Sequence, residues 1–167
     1  MPAYVPREID FADSAPVRIE GEAVADVEPS AVWAVLVDHR RWPEWFGAPL
    51  VGCEPMSADE TGVGSTRRVT LRPNIGFDER FIAWEPDRLW AFTVTSGPPG
   101  IRSIVERCTI HVEGPGRTRV TYRMAVEPKP IMKPVMPLMR AGIGRSLNKA
   151  MRALVAEART RSVRSGD

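Results

Sequence analysis

At 167 residues, with 43% hydrophobic and 26% charged side chains, the chain has the length and composition of one globular domain, and wholesale disorder is excluded. Its 23 basic and 21 acidic residues leave a formal charge of +2, too balanced a surface for a nucleic-acid partner. His39, His111, Cys53 and Cys108 have no metal-binding or redox spacing, so no metal and no cofactor is expected, and the thiols read as buried and reduced.

Residues 1–16 carry three prolines and mixed charges and are expected as a loose arm, without the apolar segment of a secretion signal. No run is long enough to span a membrane, which makes the cytoplasm the expected compartment. Residues 17–25 read as a strand. Pro29 suits a first helical position, where its missing N–H has no partner anyway. Val32, Trp33, Leu36 and Val37 then form a helical stripe, and a second short helix over 41–46 closes at Gly47. Six strands follow, near 49–56, 64–72, 76–85, 88–96, 101–113 and 117–127. Their connections, Pro86-Asp87, Gly97-Pro98-Pro99-Gly100 and Gly114-Pro115-Gly116, are hairpin turns and imply an antiparallel meander. After Pro128 and Pro130, residues 134–161 place Met136, Met139, Ile143, Leu147, Ala150, Met151 and Leu154 on one helical face, along a rod of about 42 Å. Residues 162–167 are expected to be a disordered tail. The class is α+β: about seven strands in a curved antiparallel sheet (β-α-α-β6-α), covered by a long C-terminal helix.

Several segments carry a family resemblance. They are Val27-Glu28-Pro29-Ser30-Ala31-Val32-Trp33, Asp38 ahead of Trp42-Pro43-Glu44-Trp45, Glu79 ahead of Trp84-Glu85-Pro86-Asp87-Arg88, and Gly116-Arg117-Thr118-Arg119-Val120-Thr121. Over about residues 17–160 the chain resembles the START-like, or Bet v 1-like, superfamily, and within it the bacterial polyketide cyclase/dehydrase-like branch. The resemblance implies a helix-grip fold with an internal hydrophobic cavity. It implies no single activity, because that superfamily holds lipid carriers, receptors, co-chaperone domains and enzymes.

Side chains alternate across a strand, so the apolar parity of each strand names its inner face. The inner sets are Phe77, Glu79, Phe81 and Ala83; Trp90, Phe92 and Val94; Ile104, Glu106, Cys108 and Ile110; and Val120, Tyr122, Met124 and Val126. Counting back from the turns places Glu106 opposite Met124, Phe92 opposite Glu106 and Phe81 opposite Phe92. It also places Arg67 beside Phe81 and Val69 beside Glu79. The expected ligand-binding set is Arg67, Glu79, Phe81, Trp90, Phe92, Glu106, Cys108, Tyr122 and Met124, with Met136, Met139 and Ile143 from the long helix. A carboxylate on an apolar face needs a cation, a hydrogen-bonding ligand, water or a raised pKa. Glu106 therefore reads either as a structural partner of Arg67 or Arg102 or as the anchor for a polar group on an apolar ligand. Glu79 reads as structural, near Arg67 and Arg80. The register separates the two carboxyls by about 12 Å, beyond the range of about 5–9.5 Å used by glycosidase pairs. Three functions follow from these features. The first is a carrier of a hydrophobic small molecule. The second is a cyclase- or dehydratase-like enzyme using Glu106 or Tyr122 for proton transfer. The third is an interaction module built on the Met/Pro-rich segment 130–139.

Overall fold

In the computed structural model, residues 1–47 and 49–165 are described. The chain runs α1 (Phe11–Ser14), β1 (Val17–Ala25), α2 (Pro29–Leu36), a 3-10 turn (His39–Arg41), α3 (Trp42–Trp45), β2 (Leu50–Pro55), β3 (Thr66–Leu71), β4 (Ile75–Glu85), β5 (Leu89–Ser96), β6 (Ile101–Gly114), β7 (Arg117–Pro128), a second 3-10 turn (Pro130–Met132) and α4 (Met136–Ser165). The seven strands form one antiparallel sheet in the order β1-β7-β6-β5-β4-β3-β2. Five consecutive hairpins build β2 to β7, and β1 returns to pair with β7. The sheet curls around α4 as a helix-grip fold.

The counted pairs are present in the body of the hairpins, although next to two turns the pairing is one residue off, Glu85 with Leu89 and Gly114 with Arg117, and irregularities between Phe81 and Ala83 and between Val112 and Gly114 restore it. Glu106 pairs with Met124, Phe92 with Glu106 and Phe81 with Phe92. Between β3 and β4 the pairing differs from expectation by two residues: Arg67 faces Glu79 and Val69 faces Phe77. The connection there is the three residues Arg72, Pro73 and Asn74, with Leu71 opposite Ile75, and no strong turn signal marks that hairpin in the sequence. A shift of two preserves side-chain parity, so the inner face is unchanged. A register irregularity between Phe81 and Ala83 also pairs Trp84 with Trp90. Trp84 thereby joins the inner aromatic cluster, in contact with Phe81, Trp33 and His39.

Helix α4 holds the sheet through Leu147, Ala150, Met151, Leu154 and Ala158, all buried. It crosses β1 closely at Gly21, where a Cβ would lie 2.5 Å from the Leu147 carbonyl carbon. Only glycine permits that approach. The helix passes uninterrupted through Gly142 and Gly144 and extends to Ser165. This is longer than the expected 134–161 and absorbs most of the segment expected as a tail; Gly166 and Asp167 lie outside the described residues.

The expected loose arm is tied to the sheet instead. Ala3 bridges Ser96, the Tyr4 amide donates to the Thr95 carbonyl at 2.9 Å, and the Tyr4 hydroxyl donates to the Pro98 carbonyl at 2.7 Å. Arg7 pairs with Glu127 at 2.8 Å, and Asp13 of α1 accepts from Arg107 at 2.8 Å and from Arg123. Composition alone hid this, because the binding is done by backbone groups and by charges whose partners lie about ninety residues or more away.

Candidate functional site

Between the concave face of the sheet and the N-terminal half of α4 lies a cavity of about 410 Å³. Its sheet wall is built by the inward parity of five strands: Arg67, Val69 and Leu71 of β3, Phe77 and Glu79 of β4, Val94 of β5, Ile104 and Glu106 of β6, and Tyr122 and Met124 of β7. Met139, Gly142, Ile143, Ser146 and Leu147 of α4 form the opposite wall, and Trp42, Phe46, Pro49 and Leu50 complete the side. Met139 and Gly142 are exposed while Leu147 is buried, so the opening lies toward the start of α4. The volume lies within the usual range of small-molecule sites, about 300–1,000 Å³.

The lining is apolar apart from Ser146 of α4 and one polar cluster on the sheet. The Tyr122 hydroxyl donates to Oε2 of Glu106, and both side chains are buried. Burial pushes the Glu106 carboxyl up from 4.5 to about 8; the charge of Glu79 adds to the rise, while the bond from Tyr122 and the charge of Arg67 oppose it. At neutral pH Glu106 therefore holds its proton. The phenol of Tyr122 is raised well above its ordinary value, first by burial and then by Glu106, so it remains a hydroxyl.

Beside this pair, Arg67 Nε donates to Glu79 Oε2 at 2.7 Å, with the arginine side chain 1% exposed and the glutamate 7% exposed. Burial disfavours the Arg67 cation, but Glu79, with smaller contributions from Cys53 and Tyr122, outweighs it, so the guanidinium stays charged. Burial likewise pushes the Glu79 carboxyl up and Arg67 pulls it back. Arg67 Nη1 and Nη2 have no hydrogen-bond partner among the described residues. Aromatic faces take that place: the guanidinium carbon lies 4.2 Å from the Trp42 ring centroid, 4.8 Å from Phe92, 5.1 Å from Phe81 and 5.4 Å from Trp90. Such cation–π contacts strengthen when water is excluded. His39 stacks on Phe81 at 5.4 Å. Burial first, then Arg67 and Arg40, push its pKa down to about 3, so it is neutral at physiological pH. One cation thus serves two carboxyls: Glu79 is paired with it and Glu106 is protonated.

Of the expected ligand-binding set, Arg67, Glu79, Glu106, Tyr122, Met124, Met139 and Ile143 line the cavity. Phe81, Trp90, Phe92 and Cys108 face inward but do not line it. All four are about 1% exposed; the rings of Phe81, Trp90 and Phe92, with that of Trp42, surround the Arg67 guanidinium at the closed end. Met136 also lies elsewhere, on a surface pocket with Pro16, Val17, Lys129 and Lys133, because α4 begins there and its first turn faces the other way. Glu106 meets Tyr122 rather than Arg102, which is exposed and near Glu127. Val69, Phe77, Val94 and Ile104 line the cavity without having been singled out, although inward parity already marks them. Leu50, Pro49 and Phe46 carry no such periodic signal, because they come from a short edge strand and the loop before it.

A family model described as "Polyketide cyclase / dehydrase and lipid transport" matches residues 16–159. Uncharacterized proteins of Mycobacterium tuberculosis and Mycobacterium bovis are 26% identical over 147 residues, covering 87% of this chain and 87% of each relative. Among solved structures, the Zhui aromatase/cyclase from a Streptomyces species superposes with a TM-score of 0.74 at 15% identity, covering 87% of this chain and 95% of that one. Norcoclaurine synthase from Thalictrum flavum, solved with dopamine and hydroxybenzaldehyde, superposes with a TM-score of 0.65 at 20% identity, covering 94% and 96%. At these identities the two structures establish a shared fold.

Proposed function

We propose that this chain, which belongs to the polyketide cyclase/dehydrase and lipid transport family, binds a hydrophobic small molecule whose one oxygen-bearing end meets Glu106 and Tyr122. The observation that carries the reading is the contrast within the cavity: an apolar sleeve of Val69, Leu71, Phe77, Val94, Ile104 and Ile143 ends on a buried carboxyl–phenol pair. Apolar walls supply affinity, and a few polar groups set orientation. A protonated Glu106 donates to a carbonyl or ether oxygen without the repulsion that an ionised carboxylate would exert on it.

Gly142 offers the test. It lines the cavity, and a Cβ built there meets no atom within 4 Å. Gly142→Phe places a ring in the opening and removes a helix-weakening glycine. Titration with an environment-sensitive apolar dye, anilinonaphthalene sulfonate, is expected to show saturable binding to the wild type and at least tenfold weaker binding to the variant, with melting unchanged or raised. Equal binding by both proteins places the dye outside the cavity and overturns the reading.

A second reading, proton-transfer catalysis of the cyclase or dehydratase kind, is favoured by one feature. A carboxyl with a pKa of about 8 lies near the value that suits an acid–base group at neutral pH. Deuterium exchange at the acidic carbon of benzoylacetone, followed by NMR, tests it. Exchange accelerated by the wild type and not by Glu106→Gln supports catalysis, and no acceleration by the wild type removes it.

A further inference from the structure

The start of α4 and the turn before it have a surface unlike the rest of the molecule. Of residues 129–142, only Met136 is buried and Met132 half-buried; all the others are exposed. Ile131 is 80% exposed, Leu138 78%, Val135 45% and Met139 38%. Large apolar side chains crowded within nine positions and left uncovered mark a surface that meets something. Along the segment the charge is one-sided, with Glu20 and Glu127 as acidic neighbours on the adjoining surface. Between Glu127 and Glu157 the sequence has no acidic residue and six basic ones: Lys129, Lys133, Arg140, Arg145, Lys149 and Arg152. All six are exposed, and none is within 4 Å of a carboxylate among the described residues. On the rest of the surface, arginines such as Arg7, Arg40, Arg68, Arg107, Arg119 and Arg123 are paired. Of the cations with no carboxylate within 4 Å among the described residues, Lys129, Lys133 and Arg140 lie among the uncovered apolar side chains, next to the cavity opening marked by Met139 and Gly142, while Arg72, Arg80, Arg159 and Arg164 are scattered elsewhere.

We infer that this edge docks peripherally on a lipid bilayer bearing anionic headgroups, with Ile131, Val135 and Leu138 entering the interface and the basic residues resting on the phosphates. A bilayer matches both halves of the pattern at once: apolar matter beneath a negative layer. A second copy of the chain matches only the apolar half, since two faces with the same unpaired positive charge repel. No helix among the described residues is long and apolar enough to cross a membrane, so the association is superficial and reversible. It places the cavity opening against the bilayer, where apolar guests are concentrated. The inference does not depend on which guest the cavity takes.

Co-sedimentation with vesicles tests it, using equal parts phosphatidylcholine and phosphatidylglycerol against phosphatidylcholine alone. The wild type is expected to pellet with the mixed vesicles, to remain in solution with the neutral ones, and to be released as salt is raised. A basic residue near an anionic surface is worth about fivefold in partitioning. Lys133→Glu with Arg140→Glu is therefore expected to lower binding by about 25-fold or more, and Ile131→Asp with Leu138→Asp by at least tenfold. These side chains are exposed, so circular dichroism and melting should match the wild type in both double variants. A wild type that ignores mixed vesicles overturns the inference; so does binding that both double variants retain. A patch serving a protein instead shows itself as no vesicle binding, and as a dimer lost in the Ile131/Leu138 variant if the partner is a second copy.

Discussion

Glu106→Gln changes one atom and removes one titration, and its effect on stability depends on pH in a way that few alternatives imitate. The carboxyl is raised from 4.5 to about 8 by burial, helped by Glu79 and opposed by Tyr122 and Arg67. In the unfolded chain it loses its proton near 4.5; in the folded chain it keeps it until about 8. The folded state therefore binds more protons across that interval, and the contribution of Glu106 to stability, complete below 4.5, drains away as pH rises toward 8. The slope is about 1.4 kcal/mol per pH unit, so about 4 kcal/mol is lost between pH 5 and pH 8. Glutamine has no proton to lose. Urea denaturation of both proteins at each unit from pH 5 to pH 8 measures the effect, because the titrating groups that do not touch Glu106 are shared and cancel in the difference, leaving Glu106 with its neighbours Glu79 and Tyr122. The stability of the variant relative to the wild type should climb by up to about 4 kcal/mol over that range and level off above it. A difference that stays flat from pH 5 to pH 8 means that Glu106 is ionised in the folded protein throughout, and the assignment of a neutral carboxyl to the cavity fails.

Arg67→Met strands the buried Glu79 carboxyl and should cost about 3–5 kcal/mol in chemical denaturation, whereas adding Glu79→Leu should restore most of it, since a buried pair replaced whole by apolar groups loses little; a single variant as stable as the wild type contradicts the pairing. Gly21→Ala drives a Cβ to 2.5 Å from the α4 backbone at Leu147, with an expected loss of about 3 kcal/mol and faster amide exchange in β1, and unchanged melting shows that α4 yields there freely.

The inner face of the sheet was open to reading because two independent signals agree on it: apolar parity within strands, and pairing counted from glycine- and proline-marked turns. Where a turn is well marked, as at Gly114-Pro115-Gly116, the count places Glu106 opposite Met124, and the structure has that pair. Where it is weakly marked, at Arg72-Pro73-Asn74, the count slips by two and separates Arg67 from Glu79, the very residues that are salt-bridged. Parity survives such a slip, so the correct side chains point inward even though the wrong ones are adjacent. What parity cannot tell is depth. Phe81, Trp90 and Phe92 share the face with Val94 and Ile104, yet the first three are packed beneath Arg67 and only the last two meet open space. That distinction is made by α3 and its Trp42, which closes over one end of the sheet and is contributed by a segment with no strand periodicity. Trp84 was missed for a related reason: the irregularity after Phe81 reverses which side of β4 faces in, and no residue type announces it.

All five tryptophans belong to one chain of touching rings. Trp33 contacts Trp84 at 5.4 Å, Trp84 contacts Phe81 at 4.8 Å, Phe81 contacts Trp90 at 5.7 Å, Trp90 contacts Trp42 at 6.0 Å, and Trp42 contacts Trp45 at 5.1 Å. The intrinsic emission of the protein therefore originates almost entirely at the closed end of the cavity, and one of its sources, Trp42, lines the cavity itself. Arrival of a guest alters the surroundings of an indole with no label attached. The same light also reports loosening of α3 from the sheet, so occupancy and local opening share a single optical channel; far-ultraviolet dichroism, which follows the backbone, is the second channel that separates them.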